Sequence, residues 1–372
     1  MRPNSFPRLL ILALAALAIG AAEAPAQTLE ILGQPIAAGD QRRLALPVSE
    51  AFVGEDASTP VIVVAGAQPG PVLCLTAGVH GDELNGVEVV RRSLDRAKPD
   101  TLSGTLVGIP IVNLAAFRRS SRYMPDRRDL NRFFPGSPRG SSASRLAFSV
   151  FENVIRRCDA LVDVHSGSFH RTNLPQVRGD LRRTDVLKLA RAFGSEIAIH
   201  NEGRPGTLRR AASEAGIPAI TYEAGEPMRF QTEEIERGIR GVEELLAQLG
   251  MRAAKSGDAP KPTLYYRAHW IRADDGGILA ARAKLGDLVK ANQVLGTVFD
   301  PISNEKSTIR SSHKGRVIGV ALDQLVMPGF AAFHIATDEP MEDAPSAPPA
   351  AVLPSVDEGV ANGRAELEER PD

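Results

Sequence analysis

Val72-Leu73-Cys74-Leu75-Thr76, followed by Ala77-Gly78-Val79-His80-Gly81-Asp82-Glu83, reads as a buried strand running out into a glycine-flanked turn with a histidine and a carboxylate three residues apart. Leu161-Val162-Asp163-Val164-His165-Ser166-Gly167 repeats the plan, an apolar run that delivers one histidine at its C-terminal end. Short continuous apolar runs of this kind suit strands covered on both faces, as in a parallel sheet between helices. Further runs at Val61–Val64, Leu106–Val112, Glu196–Ile199 and Ile217–Tyr222 alternate with helical periodicity after Glu83 and over Ser144–Arg157, Arg183–Phe193 and Thr232–Leu249. The expected class is α/β, a mixed and mostly parallel sheet flanked by helices. Thr232 is expected to cap the last helix, with Glu233 and Glu234 favourable in its first turn.

The chain has 372 residues, which suggests about two domains. Residues 1–26 start with Arg2 and Arg8, continue apolar from Leu9 to about Ala22 and end in Ala24-Pro25-Ala26, the pattern of a signal peptide. The apolar part is short for a membrane span. The expectation is therefore an exported, periplasmic protein cut near Ala26 with no stable membrane insertion afterwards; a retained anchor is the alternative. Residues 27–260 carry the strand–helix alternation, and a shift to Lys, Gly, Asp and Pro near Met251–Pro262 marks a linker. Residues 261–337 are glycine-punctuated and β-like, with a weak internal repeat: Gly277-Ile278-Leu279 then Asp287-Leu288-Val289, echoed by Gly315-Arg316-Val317 then Asp323-Gln324-Leu325-Val326. Two such halves resemble the barrel-sandwich of lipoyl and biotinyl carrier domains. Lys306 lies near the hairpin between the halves but lacks flanking methionines, so a structural β-module is expected rather than a carrier. Residues 338–372, rich in Pro, Ala and acid, are expected to be disordered.

Two cysteines exclude a disulfide-built scaffold and any four-thiolate metal site, and whether Cys74 and Cys158 pair is not legible. Formal net charge is -1, but residues 27–337 alone carry 40 Lys+Arg against 34 Asp+Glu, a mild excess of +6. That suits a small anionic substrate and falls short of the basic footprint of nucleic-acid binding.

Open α/β sheets bind ligands at the carboxyl ends of their strands, where His80, Glu83 and His165 could meet. Two histidines and one glutamate leave a fourth zinc position open, the catalytic arrangement; taken alone, the His-x-x-Glu spacing is equally a loop histidine beside a helix-terminal glutamate. Arg127-Arg128-Asp129-Leu130-Asn131-Arg132 places an amide beside a guanidinium fork, apt for a substrate carboxylate, although paired surface charges look the same. Thr221-Tyr222-Glu223-Ala224-Gly225 is a strand ending in a carboxylate that could move a proton, or simply be solvated. Tyr222 is expected to pack, and His170, His200, His269, His313 and His334 read as ordinary surface or core residues.

Together and in this order, the four motifs resemble the succinylglutamate desuccinylase/aspartoacylase family, relatives of carboxypeptidase A among zinc hydrolases, over roughly Ile36 to Thr337. The resemblance implies one Zn2+ per chain held by His80, Glu83 and His165, a substrate carboxylate held by Asn131 and Arg132, and Glu223 as general base and acid. It also implies an arginine that polarises the scissile carbonyl, for which Arg122 is chosen over Arg127 and Arg128. The implied reaction is amide hydrolysis of an N-acyl amino acid or similar carboxylate-bearing small amide. A carboxypeptidase acting on short or murein-derived peptides and an exported ligand-binding module without turnover are the alternatives. The oligomeric state is not legible.

Overall fold

The computed structural model describes residues 29–47, 58–253, 261–322 and 325–338; the signal-peptide stretch and nearly all of the acidic tail lie outside the described residues. Among the described residues, thirteen strands form one sheet. At its parallel centre Gln68–Ala77 lies between Ser103–Ile109 and Ala160–His165, and Ala219–Gly225 follows beyond Ala160–His165. Ser58–Ala65 and Gln41–Pro47 extend one side with antiparallel pairing. Arg171–Gly179 runs antiparallel to Ala219–Gly225 on the other.

The apolar runs at the centre are buried because helices cover both faces. Leu84–Arg96, Thr184–Ala192 and Thr232–Gln248 pack on one, joining Val90, Leu94, Leu189, Ile239 and Leu245 to Leu75, Val162 and Ile220. Ser142–Asn153 and Leu208–Glu214 pack on the other, with Leu146, Phe151 and Leu208 joined to Val107 and Leu161. Each such side chain contributes about 1.5–3 kcal/mol when fully buried, enough in sum to hold a polar site at the strand ends. The expected α/β class is the observed one. Thr232, however, does not cap its helix: Gln231 occupies that position and exchanges hydrogen bonds of 2.9 Å with Asn85, so Thr232 is the first helical residue.

Cys74, on the strand that leads to His80, and Cys158, just ahead of the strand that ends in His165, form a disulfide, Cα–Cα 5.8 Å. It is almost wholly buried. The bridge closes a loop of 84 residues, for which chain entropy gives a stabilisation of roughly 4–5 kcal/mol. The double variant Cys74→Ala/Cys158→Ala is expected to melt on the order of 10 °C lower by scanning calorimetry; an unchanged melting temperature would contradict the account.

Beyond the linker the repeat becomes visible as exchanged strands. Gly277–Ala281 of the first half pairs with Leu325–Val326 of the second, and Gly315–Ala321 of the second pairs with Leu288–Val289 of the first. Their shared core holds Leu279, Leu295, Val298, Val317 and Phe333. Lys306 is exposed at the start of the strand Lys306–Arg310. The main sheet continues into this region, because Arg171–Asn173 pairs with Gly319–Ala321, which leads on to Ala331–Thr337 and Arg267–Arg272. Arg171 secures the junction: its Nε donates to Ala331 O at 2.8 Å, and its guanidinium lies 4.7 Å from the Phe330 ring and 5.0 Å from that of Trp270.

Candidate active site

The strand Gln68–Ala77 ends in a turn that only glycine can make at two points. Gly78 has φ +61, and a Cβ on Gly81 would meet the Ala116 backbone at 2.1 Å. The turn folds His80 and Glu83 back over the sheet, and Glu83, although at the N-cap position of Leu84–Arg96, makes no cap bond. It points inward, where Oε1 lies 2.7 Å from His80 Nδ1 and Oε2 lies 2.8 Å from His165 Nδ1. Ser168 Oγ donates to Oε1 at 2.6 Å, and the Ser166 amide donates to Oε2 at 3.3 Å. One donor atom from each of His80, Glu83 and His165 lies within 4.8 Å of the others, and all three residues are buried.

The far nitrogens of both imidazoles are held by carboxylates. His80 Nε2 donates to Asp129 at 3.1 Å, and His165 Nε2 donates to Asp163 at 2.7 Å. Asp163, fully buried, is completed by the Thr76 hydroxyl at 2.7 Å. Such outer partners fix ring orientation and tautomer, leaving Nδ1 turned inward to face a cation. Burial drives Glu83 toward neutrality, but the two histidines outweigh it and hold its carboxyl well below the usual range. Burial and Arg122 likewise disfavour a charged His80, and Glu83 with Asp129 reverses the balance upward.

Asp129 is a hub that sequence inspection did not single out. Besides His80 it accepts from Arg122 Nη2 at 2.8 Å and from the Asn131 amide at 2.9 Å, and it lies 3.7 Å from Arg132 Nη1. His80 and Arg122 together depress its carboxyl strongly, against the opposing effect of burial. Arg122, nearly buried, also donates to Ser168 Oγ at 2.7 Å. Of its two competitors, Arg128 is paired with Asp126 at 2.7 Å on the surface, and Arg127 lies in the left-handed region at φ 65. Asn131 Oδ1 accepts from the Leu208 amide at 2.8 Å, so its side chain also caps the following helix region.

Glu223 lies near the end of the strand Ala219–Gly225, directly beside His165 in register. Asn173 Nδ2 donates to its Oε2 at 2.9 Å, and Arg178 lies 3.5 Å from its Oε1. Both partners come from Arg171–Gly179, a strand the sequence reading passed over. Tyr222 points to the opposite side, where it is buried against Phe193 with ring centroids 4.8 Å apart. All seven residues singled out beforehand, His80, Glu83, Arg122, Asn131, Arg132, His165 and Glu223, line one cavity of about 1020 Å³. Its wall carries nine arginines against four carboxylates, so the cavity is more basic than the chain as a whole. Trp270, Arg272 and the segment 327–331 of the C-terminal region complete the wall.

Residues 69–249 match the succinylglutamate desuccinylase/aspartoacylase catalytic domain. The N-alpha-acetyl-L-2,4-diaminobutyric acid deacetylase of Halomonas elongata is 26% identical over 253 residues, 65% of this chain and 74% of the relative. A succinylglutamate desuccinylase of Pseudomonas aeruginosa is 29% identical over 196 residues, 48% of this chain and 58% of the relative. Among solved structures, a succinylglutamate desuccinylase/aspartoacylase from Rhodobacter sphaeroides superposes with TM-score 0.72 at 24% identity, covering 81% of this chain and 96% of that one. The product-bound ectoine utilization protein EutE (DoeB) of Ruegeria pomeroyi does so with TM-score 0.72 at 21% identity, covering 80% and 94%. These superpositions cover about four-fifths of the chain, so the fold is shared. Over residues 69–249, just under half of its length, the chain is thus similar to the catalytic domain of the succinylglutamate desuccinylase/aspartoacylase family.

Proposed function

We propose that the protein is a zinc-dependent deacylase that hydrolyses the amide bond of an N-acyl amino acid or a similar small carboxylate-bearing amide. The observation that carries the reading is the convergence of His80, Glu83 and His165 beside Glu223 in one arginine-rich cavity. His80, Glu83 and His165 would hold the metal, and the donor set suits it: two nitrogens and a carboxylate, with both rings braced by Asp129 and Asp163. When bound, zinc supplies Lewis acidity, polarising a carbonyl and easing deprotonation of water.

The remaining tasks fall to protein groups. Glu223, kept in place by Asn173, takes the proton of the attacking water and returns it to the departing amine nitrogen. Arg122, locked between Asp129 and Ser168, offers a fixed positive charge to the oxyanion. Asn131 and Arg132 hold the substrate carboxylate, and the surrounding arginines draw an anion inward. The disulfide supports an exported, periplasmic location, since such bridges persist in oxidising compartments, and the leader-like residues 1–26 support it as well.

The cavity is also at the upper end of the size range for small-molecule sites, which favours short murein-derived peptides as a second reading. A panel of N-acetyl and N-succinyl amino acids beside muropeptides, assayed with and without a zinc chelator, tests both. Chelator-sensitive release of the free amino acid is expected. Turnover that survives complete zinc removal overturns the mechanism, and tight binding with no product over hours marks a binding protein instead.

A further inference from the structure

Arg122 stands between two unlike ends of the cavity. Its Nη2 donates to Asp129 at 2.8 Å, and Asp129 lies 3.7 Å from Arg132, at the end assigned to the substrate carboxylate. Its Nη1 donates to Ser168 Oγ at 2.7 Å, and the ring of the next residue, Phe169, lies 5.0 Å from the Arg122 guanidinium. A substrate whose carbonyl oxygen meets Arg122 and whose carboxylate meets Arg132 therefore directs its acyl group away from Arg132, toward Phe169.

That end is aromatic. Phe169, Trp270 and Phe330 line the cavity, each partly exposed. They surround Arg171, whose guanidinium lies 5.8, 5.0 and 4.7 Å from the respective ring centroids. Arg171 is only 7% exposed and its Nε donates to Ala331 O at 2.8 Å, so the rings rather than the guanidinium form the surface offered to a ligand. Tyr123 adds a further ring, 6.2 Å from Phe169. Aromatic residues make up 5% of the chain, yet four of them meet on this wall.

Phe169 is held there at a cost. Phe169 and His170 both occupy the left-handed region, φ 52 and 55, which side chains with a Cβ rarely adopt. The loop is so tight that a Cβ on Gly167 would lie 2.0 Å from Arg171 O. Strain of this kind persists where the surroundings over-determine it, as at ligand clamps. Here the Arg122 and Arg171 guanidiniums both hold the Phe169 ring.

We propose that Phe169, Trp270 and Phe330 form the acyl pocket, and that the preferred acyl group carries an aromatic ring, as phenylacetyl does. The inference rests on the deacylase reading and specifies its substrate. Ring-on-ring contact and burial of apolar surface favour such a group over acetyl, which is too small to reach all three rings. A succinyl group would set its second carboxylate against the negative faces of the rings.

The test compares N-phenylacetylalanine, N-acetylalanine, N-succinylalanine and N-acetylphenylalanine on the zinc-loaded full chain. The first is expected to exceed each of the others in kcat/KM by about tenfold or more. At least one of Phe169→Leu and Phe330→Leu is expected to bring the ratio of N-phenylacetylalanine to N-acetylalanine down to a few-fold at most; taking the ratio cancels any loss through Arg122 that both substrates share. Absence of the native advantage over any one of the three, or a ratio that survives both variants, overturns the proposal. If no amide is hydrolysed, the deacylase reading fails separately, and binding decides the pocket. Trp270 is the chain's single tryptophan, so its fluorescence reports occupancy. Phenylacetate is then expected to alter that fluorescence with a dissociation constant about tenfold below that of acetate, an advantage lost in Phe330→Leu protein whose folding is verified by thermal melts. No response of the native chain to phenylacetate, or an undiminished advantage in the folded variant, overturns it.

Discussion

Glu223→Gln is expected to lower kcat by roughly 10³-fold, within the range for loss of a positioned proton-transfer group, or about 4 kcal/mol of transition-state stabilisation. The amide keeps an oxygen for Asn173 Nδ2, which donates at 2.9 Å in the native chain, so the local fold has no reason to change. What is lost is a group able to take a proton from water and give it to nitrogen. KM should move little, because the loop Asn131-Arg132, proposed to hold the substrate carboxylate, and the Asp129 hub are untouched. Steady-state kinetics on the best substrate of the panel, with zinc content measured by elemental analysis, checks the result. Full turnover by a zinc-replete Glu223→Gln protein would remove Glu223 from the mechanism.

Asp129→Asn should be nearly as damaging, although this residue needs no contact with substrate. Its neighbours in the native chain are all donors: His80 Nε2 at 3.1 Å, Arg122 Nη2 at 2.8 Å and the Asn131 amide at 2.9 Å. An asparagine offers one acceptor and one NH2 donor, so at least one of these contacts becomes donor against donor. Loss of an outer-shell partner typically weakens metal affinity about 10–100-fold. Freed of its carboxylate, Arg122 loses the anchor that aims it as well. The expected outcome is a zinc dissociation constant raised by that factor in a chelator competition, and kcat/KM down by roughly 10²-fold even at saturating zinc. Unaltered zinc affinity would reduce Asp129 to a surface-loop carboxylate.

The parts of this site legible in the sequence are those attached to apolar runs. Val72–Ala77 and Leu161–Val164 are apolar apart from Thr76 and Asp163 because helices cover both faces of the sheet, and the histidines stand out at their ends. The strand Arg171–Gly179, Arg-Thr-Asn-Leu-Pro-Gln-Val-Arg-Gly, carries no such signal. Its polarity is what its place requires: Asn173 holds Glu223, Gln176 Nε2 donates to Ile318 O, and Arg178 lies 3.5 Å from Glu223 Oε1. A strand that supplies partners to a buried carboxylate cannot also look hydrophobic. Asp129 and Asp163 stood within motifs already noticed, yet their roles depend on distances to rings that sequence spacing does not encode. The pairing of Cys74 with Cys158 depends in the same way on two strands 84 residues apart becoming neighbours. His334, read as an ordinary histidine, is stacked on Trp270, centroids 4.1 Å apart, only because the sheet sets their strands side by side.

The strand Arg171–Gly179 pairs with Gly225 through Asn173 on one side and with Gly319–Ala321 on the other. The C-terminal β layer therefore joins the sheet at the residue that hydrogen-bonds Glu223. The layer and Glu223 are therefore expected to belong to one cooperative unfolding unit. Amide protection around Asn173 and around His334 should accordingly report a common opening free energy, and thermal inactivation should track loss of the β layer rather than melting of the helices.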